Sequence, residues 1–233
     1  MKKISVGAGL FFLCVLIAVI VILVPNEHQE IDSEIQTLFN KWDQGEVMQE
    51  QGDEIMKELM NYLIEHPQTS TKSIENLSPH MKVFEMDHFK MIEYIENPQF
   101  YGTSGRGSYL IAMADGKVEL IDSNGSMRIH EVVERDPYYY VYATDYRVSN
   151  ITGIKIFRIL MQEDTIEIQS LINQNEILPG FKFEEAFDVL YYNDGHIYFD
   201  SIRNNGAEVA IKAGEIDYLL RLGEDGLYKI VER

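Results

Sequence analysis

The stretch Tyr109–Asp122, "YLIAMADGKVELID", is two short apolar runs on either side of Asp115-Gly116. An Asp-Gly pair suits the positive backbone angles of a two-residue hairpin turn, so the flanking runs are expected to be antiparallel neighbours. The same punctuation recurs at Asn124-Gly125, Asp194-Gly195, Asn205-Gly206 and Asp225-Gly226. Five such pairs predict a meander.

Outward from that hairpin lie further strand-like runs: "YYYVYATDY" from Tyr138, "GIKIFRIL" from Gly153, "TIEIQSL" from Thr165, "HIYFDSI" from His196, "AEVAIK" from Ala207 and "LYKIVE" from Leu227. No segment of helical length and period separates them, which argues against parallel βαβ winding. The expected fold class is α+β, with a mainly antiparallel β-meander domain over 108–233 arranged as a sandwich, a barrel-like sheet or a partial propeller.

Upstream the period changes. Ile31, Ile35, Leu38, Phe39 and Trp42 recur at helical spacing, and Ser33 and Gln36 occupy the positions of a capping box. After Gly45 a second set follows at Ile55, Met56, Leu59, Met60, Leu63 and Ile64, and His66-Pro67 ends it. Residues 26–66 are therefore read as a helical segment covering one face of the β domain. Residues 67–107 are read as a linker, rich in Ser, Thr, Asn and Pro at its start, with a short helix on Phe89, Ile92 and Ile95 before Pro98.

Ile4 to Val24 carries no charged residue. At about 1.5 Å per residue a helix needs about 20 apolar residues to cross a bilayer core, so this run is long enough. Lys2 and Lys3 precede it, while Glu27, Glu30, Asp32 and Glu34 follow it. The positive-inside tendency then puts the N-terminus in the cytoplasm and the body outside. Residues 1–25 are expected to remain as a single-pass membrane anchor, with residues 4–24 in the lipid. Ile22, Leu23, Val24 and Pro25 fit a small-x-small cleavage site poorly, and Phe11, Phe12 and Leu13 before Cys14 fit a lipoprotein signal poorly. Lipidation at Cys14 and secretion after cleavage are the alternatives.

The chain has 233 residues and a formal charge of −18, and removing Lys2 and Lys3 with the anchor takes the body to −20. Such a surface is a poor partner for nucleic acid. Cys14 is the single cysteine, so the body has neither an internal disulfide nor a cysteine-bound zinc. No cofactor and no metal site are expected; Asp122-Ser-Asn124-Gly125 starts like a calcium loop but lacks the distal glutamate of an EF-hand.

The passages "MKELMNYLIEHPQTSTKSIENLS" (Met56–Ser78), "GIKIFRILMQEDTIEIQSL" (Gly153–Leu171) and "HIYFD" (His196–Asp200) resemble envelope or secreted proteins of Bacteroidetes type. The resemblance covers about two thirds of the chain and contains no catalytic motif. It implies location and β architecture, and no activity.

Two constellations carry possible chemistry. Tyr138, Tyr140, Tyr142 and Tyr146 alternate onto one face of a strand. Exposed, such a row suits recognition of a glycan or peptide; covered by the N-terminal helices, it is core with hydroxyls needing partners. The second is "YNDGHIYFD", which places Asp194, His196 and Asp200 close in sequence, with His196 and Asp200 on one strand face. "GTSGRGS" (Gly102–Ser108) leads into a strand where a phosphate loop would need a helix. The expectation is a membrane-anchored, non-enzymatic binding or scaffold module facing an envelope protein or glycan. The alternative is an envelope hydrolase using His196 with Asp200 or Asp194.

Overall fold

The computed structural model describes residues 31–47, 49–96, 107–148, 151–161, 165–185, 188–193 and 195–232. The expected anchor over residues 4–24, most of the "GTSGRGS" loop and Asp194 lie outside them. Among the described residues no helix is long and apolar enough to cross a membrane.

Helix α1 (Ser33–Asp43) buries Ile35, Phe39 and Trp42, spaced along one face. Its cap is Asp32, whose carboxylate accepts the Glu34 N–H at 2.8 Å, and not the expected Ser33. Gln36 closes no capping box; its Nε2 donates to the Leu77 carbonyl at 3.0 Å and ties α1 to the segment just ahead of the first strand. Helix α2 (Gln49–Glu65) ends, as the His66-Pro67 pair predicts, one residue before His66. Gly52 sits at its start because a Cβ there would lie 2.6 Å from both the Trp42 ring and the Tyr109 hydroxyl. A one-turn helix, α3 (Thr71–Glu75), is capped by Ser70.

Three open antiparallel sheets come next along the chain, none closed into a barrel. The first orders β1 (Met81–Met86), β2 (Phe89–Ile95), β3 (Ser108–Ala114) and β4 (Lys117–Gly125) as a plain meander. In the second, β5 (Met127–Arg135), β6 (Tyr138–Val148) and β7 (Ile151–Met161) form a meander. Two partners share the far edge of β7: β10 (Val189–Tyr192), itself paired to β9 (Phe181–Glu184), and β8 (Ile166–Ser170). The third is again a meander, of β11 (Ile197–Arg203), β12 (Glu208–Ala213), β13 (Ile216–Leu222) and β14 (Tyr228–Glu232).

Side-chain alternation turns these sheets into layers. Ile92, Tyr94, Tyr109 and Ile111 of the first sheet face Phe39, Trp42, Leu59 and Leu63 of the helices. The opposite faces of the same strands, Met91, Leu110 and Ala112, meet Val141, Ala143, Phe157 and Ile159 of the second sheet. The other side of that sheet, Tyr140, Tyr142, Ile154 and Ile156, meets Val209, Ile211, Leu220 and Tyr228 of the third. The order is helices, first sheet, second sheet, third sheet. Each buried Leu, Ile or Phe is worth roughly 1.5–3 kcal/mol, so apolar contact holds the layers together.

A β-bulge after Ile129 lets β5 serve two layers. Met127 and Ile129 face the first sheet, whereas past the bulge Val132 does so and Val133 turns to the third. Beside the bulge the Ile129 N–H donates to the buried Glu93 carboxylate of the first sheet at 2.6 Å.

The structure corrects two further expectations. The segment 67–107, read as a linker with a short helix, contains α3, β1 and β2, and Phe89, Ile92 and Ile95 belong to strand β2. Strand β2 is buried on both faces, so Met91 and Ile92 are both apolar and the period-2 signature is lost. The second correction concerns the turns. Asp115-Gly116, Asn205-Gly206 and Asp225-Gly226 do join hairpin neighbours, with Asp115 and Asn205 at positive φ. Asn124-Gly125 closes β4 instead, where the chain leaves the first sheet for the second, and Gly195 lies where it leaves the second for the third.

Candidate functional site

The tyrosine row lies on β6, and the third sheet covers it, not the helices. Tyr142 is 0 % exposed and Tyr140 is buried, Tyr138 is half-buried, and Tyr146 at the strand's end is 37 % exposed. Arginines lie over three of the rings: Arg158 lies 4.2 Å from the Tyr138 ring centre, Arg135 5.2 Å from that of Tyr140 and Arg128 5.6 Å from that of Tyr146. A sugar stacking on these rings has to displace a guanidinium.

Within the row, Tyr142 Oη lies 2.8 Å from Tyr228 Oη and 3.2 Å from the Gly206 carbonyl, which accepts from Tyr228. Burial first, then the Tyr228 hydroxyl, push the Tyr142 phenol far above its usual range, and burial raises Tyr228 to about 12. Both stay protonated and act as structural donors. Gly206, at φ +80°, leaves no space for a Cβ, which would meet Tyr142 Oη.

His196 precedes β11 and is exposed; its Nδ1 lies 3.4 Å from Thr152 Oγ1 of β7. Asp200 sits exposed at a bulge in β11, where its carboxylate accepts from the Ser201 hydroxyl at 3.5 Å. Four residues of strand place it about 13 Å along the chain from His196. The Thr152 hydroxyl serves the fold: it accepts the Ile197 N–H at 3.1 Å and donates to the Ile197 carbonyl at 3.0 Å. A side chain of the second sheet thus acts as a backbone partner for the edge of the third. Among the described residues no group of three His, Cys, Asp or Glu converges as a metal site.

A different concavity, unforeseen from the sequence, lies among the helices. The N-terminal half of α1 lies against the C-terminal half of α2, and between them opens a groove of about 540 Å³. Ile35, Leu38, Tyr62 and Ile64 supply its apolar lining, and Asp32, Glu34, Glu58 and Glu65 its rim. All four carboxylates are exposed, and Ile64 is 49 % exposed. His66 stacks on Tyr62 with ring centres 4.2 Å apart, bracing one wall. Burial, followed by the Asp32 carboxylate, holds the Tyr62 phenol above its usual range. The helical periodicity is visible in the sequence, but nothing in it marks Tyr62 or the acidic positions as lining a groove.

The geometry defines a layered protein of three antiparallel sheets under a helical cover, with a groove in that cover. No protein-family profile, curated protein or solved structure matches the chain.

Proposed function

We propose that the protein is a membrane-anchored, extracytoplasmic binding or scaffold module of the cell envelope, without catalytic activity of its own. The observation that carries this reading is the charge-free run Ile4–Val24, followed after a few residues by the first buried residue of the folded body, Ile31. A span of that length inserts, Lys2 and Lys3 orient it, and the acidic body stays in water on the far side. The buried polar side chains of Thr152, Glu93, Tyr142 and Tyr228 join layer to layer, which leaves recognition to the surface.

The test uses Glu215, whose side chain is 97 % exposed at a turn of the third sheet. In intact cells, a membrane-impermeant maleimide should label the Glu215→Cys protein, and the extracted chain should keep Met1 or Lys2 at its N-terminus. Labelling only after lysis overturns the orientation. A chain beginning at an acylated Cys14 replaces the anchor with a lipid.

The second reading, an envelope hydrolase using His196 with Asp200 or Asp194, takes its support from His196 Nδ1 lying 3.4 Å from Thr152 Oγ1. If a His196→Ala protein hydrolyses envelope substrates as fast as the parent, that reading falls.

A further inference from the structure

We propose that the groove between α1 and α2 docks a basic amphipathic helix of another protein, an inference that rests on the reading of the chain as an anchored binding module. The groove combines two features that call for one kind of occupant. Its floor is apolar, with Leu38 and Tyr62 half-buried and Ile64 half exposed to water. Its rim carries carboxylates on both sides, Asp32 and Glu34 from the start of α1 and Glu58 and Glu65 from α2, and among the described residues no Lys or Arg lines it.

A small cation has no use for the floor, an acidic helix meets the rim's repulsion, and a neutral apolar helix takes water from the rim carboxylates without pairing them. A helix with apolar residues at i, i+3, i+4 and i+7 and lysines or arginines beside them satisfies both. The groove runs along residues 32–38 at the start of α1 and 58–65 of α2, about two turns of each, so two turns of a third helix can lie alongside them. Its position adds a reason. Residues 25–30, between the apolar run and Ile31, extend at most about 20 Å, so the groove stays near the membrane surface and a partner held in the same membrane meets it at raised effective concentration.

The experiment uses the full chain in nanodiscs of zwitterionic lipid, with a photo-crosslinking residue replacing Asn61, which lines the groove. The probe is a fluorescent helix of about 14 residues built of leucine and lysine at that spacing, compared with its leucine–glutamate counterpart. Saturable crosslinking to the lysine helix is expected, with the glutamate helix at least about tenfold weaker. Glu58→Lys with Glu65→Lys should weaken the lysine helix at least about tenfold and recover the glutamate helix, a reversal that loss of folding cannot produce. Ile64→Ser should weaken both pairings.

Glu215→Lys with Glu224→Lys, on turns of the third sheet, should leave binding within about twofold; equal loss from this pair overturns the proposal in favour of diffuse charge attraction. Crosslinking to residues 1–30 of the same chain, or to a second copy, that the lysine helix does not displace also overturns it. If the groove fails while the Glu215→Cys protein is labelled from outside, the anchored-module reading stands and only the groove assignment falls. If that label is excluded until lysis, the anchored reading falls whatever the groove does.

Discussion

Between the second and third sheets, two phenols share one carbonyl. Each hydroxyl has a single proton, so Tyr142 and Tyr228 cannot both donate to Gly206 and also to each other. Burial raises both phenols, and Tyr142 donating to Tyr228, with Tyr228 donating to the Gly206 carbonyl, adds to the rise at Tyr142 and offsets part of it at Tyr228. Either Tyr→Phe change leaves one hydroxyl within reach of the carbonyl, so each single variant should lose about 1 kcal/mol. The double variant strands a buried carbonyl and should lose about 3 kcal/mol, more than the two singles combined. Denaturant unfolding of the four proteins measures this, and strict additivity would show that the pair does not act as a chain.

At the scale of elements, what joins one sheet to the next matters most. Thr152 substitutes for a strand at the edge of β11, so Thr152→Val, nearly equal in shape, leaves the Ile197 N–H and C=O without their partner. A loss of about 2 kcal/mol or more is expected, with faster hydrogen exchange at Ile197, while Thr152→Ser keeps most of the protection. Joints of this kind are what the sequence hides. Strands with one solvated face or a tight turn, such as β4, β12 and β14, could be read from alternation and Asp-Gly or Asn-Gly punctuation. Strand β2, buried on both faces, mimicked a helix through Phe89, Ile92 and Ile95, and β5 broke its own alternation at a bulge. The tyrosine row was legible as a strand face, but not what covers it. The groove was illegible because the open side of two helices is decided by the sheet beneath them, and one chain's periodicity does not show which apolar residues that sheet leaves uncovered.

For the molecule as a whole, acid sets the balance. Burial raises the Glu93 and Glu96 carboxyls above their ordinary value of 4.5, against the backbone N–H bonds from Ile129 and Gly107 that favour the ionised forms. The native state therefore holds protons that the unfolded chain releases. The stability from these two groups is fully present below about pH 4.5 and falls as pH rises through their elevated values. Glu93→Gln with Glu96→Gln should match the parent in acid and gain on it toward neutral pH, measured by urea unfolding across that range; a constant difference would show that the carboxyls titrate normally in the fold. The layers also have an order in time. Helices, first sheet, second sheet and third sheet succeed one another along the chain as they do through the molecule. A polypeptide emerging N-terminus first can lay each tier on a finished one, so that a nascent chain exposes only its newest apolar face.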